Sequence, residues 1–592
     1  MILFKPPKQE TIAKKNLFKK ILLLFFSSLF FIYSFVIIYF SQLFSHQLFL
    51  EFFKYIQFLL LVFLVVVVFN HRKILSSLFL SILFFFHFAV FCFFVFTTSR
   101  LDYQFFLKYA KNYKVFQEEL SLLLLVGVII SLLNTLPFKW VKVERGRAVL
   151  ISLLLLLVAG SFMLPVKMND SSLYFIKTIF ADNKVIDHYQ ENIYKQFIRR
   201  SGQNRDKILR QAQNIKLQEK PDYLDNVIFL QLESLNSLLV KPGITPNFIQ
   251  AGQKGVYFPN FYSNDVQTIT GQESILCGTP PSFYLTLRQG GRDKKVSCLP
   301  RIFEHMGYET FFYKTYGLKF TNTGQFMENI GFQHVHAEDI MKENDPEYTW
   351  GYREDVFYQR ALNHFQDKKG EQNLLYLEVG PTNHWPFKKP ADVDMELPYE
   401  NADTLKKRLA NTSHIQDHYL GTALERIKEI FPEKNYTLII LSDHSWPLGI
   451  HEDNVFNQAG AYEENYLTPL VIQPGGEYAG RKIETRHSQM DILPTFLDLF
   501  NLPYDKNPFA RSLLPEIKRE SSSKKHNILL IQPFSEKQLG LVKGDQKLQY
   551  NSRANQYLIY DLKNSPREKA EKSQKAKELF WQRLNSFKIW PQ

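Results

Sequence analysis

Two stretches place ionisable side chains at the ends of strongly apolar runs. Residues 436–444 (YTLIILSDH) lead straight into Asp443 and His444, and residues 226–233 (NVIFLQLE) end on Glu233. Short Ile- and Leu-rich runs of this kind read as strands buried on both faces. In open α/β sheets, ligands bind beyond the ends of such strands. Two carboxylates and an imidazole are good ligands for a divalent transition ion. An Asp-His pair alone also caps turns, so the weight lies in two runs of the same design.

A bound cation becomes catalytic when it has a nucleophile to activate. Residues 264–277 (NDVQTITGQESILC) offer two hydroxyls, Thr268 and Thr270. Thr270 and Glu273 have capping-box spacing, which predicts a helix start at this point. Thr270 would then be the cap. Thr268 would lie just ahead of it, where the positive end of the helix dipole favours phosphate. The residues alone leave the nucleophile open between Thr268 and Thr270.

The elements that must hold these groups alternate. Strands are predicted over 227–232, 310–313, 374–379, 438–441 and 470–472, and helices over 299–305, 357–365, 415–430 and 490–499. Alternation of this kind predicts a doubly wound α/β sheet over residues 223–523. Beyond it, short strands at 528–532, 539–542, 547–550 and 557–560 and a charged helix over 565–587 predict a small antiparallel subdomain spanning 524–592. His451 and His487 read as surface or structural histidines.

The first 167 residues differ in kind. The whole chain is 45% hydrophobic, an ordinary value, but Phe, Leu, Ile and Val are concentrated at the N-terminal end. Five apolar spans, near 20–44, 53–70, 74–97, 116–137 and 147–166, approach the roughly 20 residues a helix needs to cross a bilayer. Lys5, Lys8, Lys14, Lys15, Lys19 and Lys20 precede the first span. Arg72 and Lys73 lie between the second and third, and Lys139, Lys142, Arg145 and Arg147 between the fourth and fifth. This bias predicts a cytoplasmic N-terminus and an extracytoplasmic remainder. The loop over 100–119 departs mildly, carrying Lys108, Lys111 and Lys114 on the outer side. The formal net charge of +13 therefore reports topology and not a nucleic-acid partner. Residues 168–222, charged and helical in pattern, read as a juxtamembrane connector. In an oxidising compartment outside the cytoplasm, Cys277 and Cys298 are expected to pair as a disulfide.

The ordered motifs "QLES" at Glu233, "QTITGQES" at Thr268, "GPTNHWPF" at His384, "LSDHSW" at Asp443 and His444, and "SQMDILPT" at Asp491 resemble those of the lipoteichoic acid synthase-like phosphoglycerol transferases. These form a sulfatase-like branch of the alkaline phosphatase superfamily, and the likeness runs over essentially the whole chain. It implies a five-helix membrane domain carrying an extracytoplasmic sulfatase/alkaline phosphatase-like α/β domain. Glu233, Thr268, Asp443 and His444 would hold one divalent cation, Mn²⁺ or Mg²⁺, with Zn²⁺ as a third candidate. Thr268 would be the nucleophile, and His384 would contact the bound phosphoryl group. The synthases also carry a Trp-x-Arg grip on glycerol phosphate, whereas residues 320–324 (FTNTG) have neither residue; Arg353, in "WGYRED", is the candidate substitute.

The implied reaction moves glycerol phosphate from phosphatidylglycerol, a phospholipid donor in the membrane, to an extracytoplasmic glycan or lipid acceptor through a phospho-threonine intermediate. The alternative is phosphoethanolamine transfer to lipid A or a glycan, by enzymes usually richer in disulfides. A sulfatase would need a C/S-x-P-x-R setting, which surrounds neither Thr268 nor Cys277. Intact ligand types at all four positions argue against an inactive scaffold.

Overall fold

Residues 226–232 lie at the centre of the main sheet. The computed structural model of the chain describes residues 184–215 and 225–586, apart from positions 285, 349, 452–453, 455–459, 475–479, 504–506, 508, 519–524, 535–536, 553, 564–570 and 573, together with scattered positions at 58–90, 157 and 175–176. Two units emerge, Met1–Asp182 and Asn183–Gln592. Among the described residues no helix is long and apolar enough to cross a membrane; the five expected spans lie largely outside the described residues. The remaining description concerns the second unit.

After short helical segments at Lys184–His188 and Tyr189–Tyr194 come α1 (Lys195–Ile215), β1 (Asn226–Leu232), α2 (Pro246–Gln253), β2 (Val256–Tyr262), α3 (Thr268–Cys277) and α4 (Leu299–His305). Next come β3 (Glu309–Lys314), β4 (His334–His336), α5 (Glu354–Lys368), β5 (Asn373–Glu378), α6 (Leu405–Ile430) and β6 (Tyr436–Ser442). The domain closes with β7 (Leu467–Gln473), β8 (Arg481–Lys482), β9 (His487–Ser488) and α7 (Ile492–Leu499). These strands form one nine-stranded sheet in the order β8-β2-β7-β6-β1-β5-β3-β4, with β9 also paired to β2.

Alternation along β1 builds a core on each face. Val227 and Phe229 join the core that includes Tyr376, Ile439 and Phe496, while Ile228 and Leu230 join Leu375, Ile440 and residues of α5 and α6. Phe229 stacks on Tyr376 at 5.3 Å and meets Phe496 at 5.8 Å; burying such a ring contributes about 2 kcal/mol. This is the doubly wound arrangement that the alternation predicts. It is a mixed sheet, however, because β7 runs antiparallel to both β6 and β2. The strand β2 escapes the sequence reading because Pro259 lies within it, and proline is confined to strand edges and bulges. The pairing of β2 with β7 does shift there, between Phe258 and Phe261.

Residues 184–215, read from sequence as a connector, pack on this domain. Ile186, Tyr189 and Tyr194 are buried. The Tyr189 hydroxyl donates to the Pro281 carbonyl at 3.1 Å, and Ser282 Oγ donates to Gln190 Oε1 at 2.7 Å.

The chain ends in a five-stranded antiparallel sheet, β10 (Ile528–Gln532), β11 (Gln538–Lys543), β12 (Gln546–Asn551), β13 (Gln556–Asp561) and β14 (Glu571–Lys572), paired in chain order. Helix α8 (Gln574–Ser586) follows, shorter than the expected 565–587. Asn264 ties β10 to the main-sheet domain: its Nδ2 donates to Leu529 O at 2.9 Å, and its carbonyl accepts Ile531 N–H at 2.9 Å.

Cys277, the last residue of α3, is disulfide-bonded to Cys298, which precedes α4. The bridge spans 21 residues, and in the chain-entropy account it stabilises the fold by roughly 3 kcal/mol. The double variant Cys277→Ser/Cys298→Ser is expected to lose about that much in a denaturant titration. An unchanged midpoint would show that the bridge adds nothing to stability.

Candidate metal centre

Register brings the two strand ends together. β1 lies between β5 and β6, parallel to both, with Leu232 opposite Ser442 and Gln231 opposite Glu378. Glu233 and Asp443 therefore leave the sheet side by side, and the Asp443 N–H still donates to Leu232 O at 3.2 Å. His444 Nε2 lies 3.4 Å from Glu233 Oε1 and 3.6 Å from Asp443 Oδ2. One ligand atom from each of the three residues falls within 4.8 Å of the others, and all three residues are buried.

Helix α3 brings Thr268 to this cluster. It starts at Thr268, three residues earlier than the capping-box spacing predicts, after an extended Gln267 whose side chain makes no cap. Glu273 is occupied elsewhere, accepting the N–H groups of Leu287 at 3.0 Å and Arg288 at 3.4 Å. Thr270 is buried, and its hydroxyl donates to Gln267 O at 3.1 Å. The helix approaches β6 so closely that a Cβ on Gly271 would sit 2.3 Å from Asp443 O. Gln489 fixes the same strand end, donating from Nε2 to Ser442 O at 2.9 Å and Asp443 O at 2.6 Å.

The chemistry of the donor set fits a cation. His444 Nδ1 lies 3.0 Å from the Ser445 carbonyl. A carbonyl only accepts, so Nδ1 carries the hydrogen and the neutral ring turns its Nε2 lone pair toward the two carboxylates. Asp443 Oδ1 accepts the N–H groups of Ser234 at 3.0 Å and His444 at 2.7 Å. Its Oδ2 is buried without a hydrogen-bond partner. Burial, and then the Glu233 charge, push the Asp443 carboxyl up to about 7, while His444, the Ser234 N–H and the Thr268 hydroxyl pull it back. Against the desolvation that burial imposes, Asp443 and Glu233 hold the His444 imidazolium up to about 10. Glu233 is likewise desolvated, yet its hydrogen bond and charge pairing with His444 bring it down to about 2. Without a metal the cluster is thus completed by protons, which a divalent cation would displace.

His384 stands on the loop after β5. That loop is anchored by Asn383, whose Nδ2 donates to Glu233 O at 2.9 Å and whose Oδ1 accepts from Thr412 Oγ1 at 2.6 Å. Trp350 packs over the His384 ring at 4.2 Å. Desolvation lowers the His384 pKa, and Glu233 opposes the shift. Its Nδ1 lies 3.0 Å from the Trp385 carbonyl, so the neutral ring presents Nε2 as an acceptor. Arg353, by contrast, is engaged by neighbouring carboxylates. It is held by Asp355 and Asp392, each at 2.7 Å. His451 is likewise engaged, by Glu464 at 2.9 Å.

Sequence reasoning passes over a polar layer beside the centre. Lys314, at the end of β3, forms a buried ion pair with Glu378 at 3.1 Å. Gln272 Nε2 donates to Glu378 Oε2 at 2.6 Å, and Gln272 Oε1 accepts from Arg288. The one sequence signal for this layer is a lysine that closes an apolar run.

The loop that carries His384 rests on a pH-sensitive support from α5. Glu354, at the start of α5, is buried and accepts the Thr382 N–H at 2.9 Å and the Thr382 hydroxyl. Desolvation raises its carboxyl from 4.5 to about 7, outweighing the hydrogen bonds from Thr382. A raised folded pKa favours the neutral form on folding. That stabilisation is complete below pH 4.5 and is lost as pH rises through about 7. Glu354→Gln is expected to flatten the fall in stability across this window, by up to roughly 3 kcal/mol. Thermal melts of both proteins at a series of pH values would check it, and parallel curves would contradict it.

Comparison with known proteins places this architecture. Residues 225–502 match the Sulfatase family model. Over 190 residues the chain is 24% identical to phosphoglycerol transferase I of Escherichia fergusonii, a match covering 30% of this chain and 24% of that relative. The chain thus spans about a quarter of the length of this curated relative. The fold is similar to that of the lipoteichoic acid synthase LtaP from Listeria monocytogenes, with a TM-score of 0.50 and 20% identity over 64% of this chain and 98% of that one.

Proposed function

We propose that the chain is a metal-dependent transferase that moves glycerol phosphate from phosphatidylglycerol to an extracytoplasmic glycan or lipid acceptor. In this reading the five apolar spans anchor residues 168–592 outside the cytoplasm, close to a lipid donor. The observation that carries it is Thr268, the first residue of a helix N-terminus set against Glu233, Asp443 and His444. A phosphodiester drawn to that N-terminus would meet a hydroxyl, a cation site and backbone N–H groups at once.

Glu233, Asp443, His444 and Thr268 would hold a divalent cation, which when bound would supply Lewis acidity to the hydroxyl and to the phosphoryl oxygens. Thr268 Oγ then forms a bond to phosphorus as the phosphorus–oxygen bond to diacylglycerol breaks. The departing alkoxide takes a proton and leaves as diacylglycerol. In the second half the acceptor hydroxyl attacks the phospho-threonine and Thr268 regains its proton. His384 suits these proton movements: neutral, its Nε2 takes the acceptor's proton, and protonated, it donates to a phosphoryl oxygen. Lys314 and Arg288 keep Glu378 and Gln272 in place beside the centre.

Partial similarity to phosphoglycerol transferase I favours glycerol phosphate over phosphoethanolamine. Reconstitution of the full chain into vesicles of phosphatidylglycerol or of phosphatidylethanolamine tests the choice. Metal-dependent release of diacylglycerol is expected from the former. Release from phosphatidylethanolamine alone would replace the donor, and release from neither would remove the transferase reading.

A further inference from the structure

Transfer chemistry makes no use of a second group of metal-ligand residues. His487 on β9, Asp491 at the start of α7 and His526 just ahead of β10 each offer one ligand atom, and these atoms all lie within 4.8 Å of one another. His487 and Asp491 are completely buried, and the His526 side chain is 12% exposed. His487 and Asp491 lie four residues apart on one stretch of chain, and tertiary packing brings His526 to them.

The spacing of these groups resembles a ligand shell more than a set of ion pairs. Asp491 Oδ2 is hydrogen-bonded to His487 Nδ1 at a long 3.3 Å, and Oδ1 lies 3.2 Å from His526 Nε2. Charge-assisted N–H···O contacts close to about 2.7–2.9 Å. Ligand atoms around a tetrahedral ion with bonds of about 2.0 Å stand ~3.3 Å apart. The first centre has a similar spread, 3.4 and 3.6 Å. An independent sign is His526 Nε2, a buried nitrogen that faces a carboxylate yet makes no hydrogen bond.

The surroundings also suit ligands. Asp491 is oriented by two backbone donors, Ser488 N–H at 2.9 Å on Oδ2 and Arg511 N–H at 2.8 Å on Oδ1. Each oxygen keeps a further lone pair. Behind His487, Nε2 meets Thr485 Oγ1 at 2.9 Å and Glu516 Oε1 at 3.4 Å. A hydroxyl or carboxylate on the far nitrogen is the usual support for a ligating imidazole.

We propose that His487, Asp491 and His526 form a second, structural cation site for a zinc-class divalent transition ion. Two imidazoles and one carboxylate suit such an ion better than Mg²⁺ or Ca²⁺. The bound ion would link β9 and the start of α7 to the segment entering β10, pinning the C-terminal sheet to the catalytic domain.

The test uses full-length purified protein, stripped with a chelator, re-equilibrated with Zn²⁺, freed of unbound metal and measured by elemental mass spectrometry. The parent is expected to retain about two ions per chain. His526→Ala and the first-centre variant Glu233→Gln/Asp443→Asn should each retain about one, and the triple variant about none. Should His526→Ala misfold, the first-centre variant still decides: it should keep about one Zn²⁺, and its melting temperature should rise with Zn²⁺. A parent that holds a single ion, a first-centre variant that holds none, or a His526→Ala protein that still holds two would each overturn the second site and leave Asp491 as the partner of two histidines.

Discussion

Thr268→Ala is expected to abolish turnover of the phospholipid donor while leaving the domain folded. The loss should be on the order of 10⁴-fold or more, as when a nucleophile is removed. Thr268 opens α3 and is only partly buried, and its hydroxyl is among the groups that lower the Asp443 pKa. No neighbouring hydroxyl can take its place, because Thr270 is buried with its own hydroxyl committed to Gln267 O. Thr270→Ala should therefore keep most of the activity and cost about 1 kcal/mol of stability. Donor turnover and thermal melts of both variants decide between the two threonines. An inactive, folded Thr270→Ala beside an active Thr268→Ala would move the nucleophile to 270.

Gly271→Ala carries the second large effect. The new Cβ would lie 2.3 Å from Asp443 O and 3.1 Å from Asp443 C. Both are backbone atoms of a strand end held by Leu232 and Gln489, so no side-chain rotation relieves the clash. Helix α3 and the end of β6 must separate, carrying Thr268 away from Glu233, Asp443 and His444. A displacement near 1 Å at reacting groups costs on the order of 10²-fold in rate, and overpacking of this kind costs about 1–3 kcal/mol. Gly243→Ala is the control, since a Cβ there meets nothing within 4 Å. Activity, metal content and stability of the two variants should diverge. Equal behaviour would mean that the close approach of α3 does not position the site.

The sequence makes the two central strands legible because β1 and β6 are apolar on both faces, so their ends stand out as the places where charge begins. Glu233, Asp443 and His444 could be picked out on that ground alone. Choosing between Thr268 and Thr270 depends on where α3 starts, and the capping-box spacing misplaces it because Glu273 caps the short helix Leu287–Gly290 instead. Pro259 hides β2 for a similar local reason: a residue that usually excludes a strand sits at an irregularity in one. Lys314, Arg288 and His526 give almost no local signal, since only folding brings them to Glu378, Gln272 and Asp491. Arg353 shows the converse. A lone arginine near a site motif looks available in sequence, but Asp355 and Asp392 occupy it in the fold.

The most direct test of the central claim is the mass of the peptide carrying Thr268 after the purified protein meets phosphatidylglycerol and is quenched in acid before acceptor is added. A glycerophosphoryl group on Thr268, dependent on added divalent metal and missing from Thr268→Ala, is the expected result. An unmodified Thr268 in protein that is releasing diacylglycerol, or the group on another residue, would contradict the covalent mechanism.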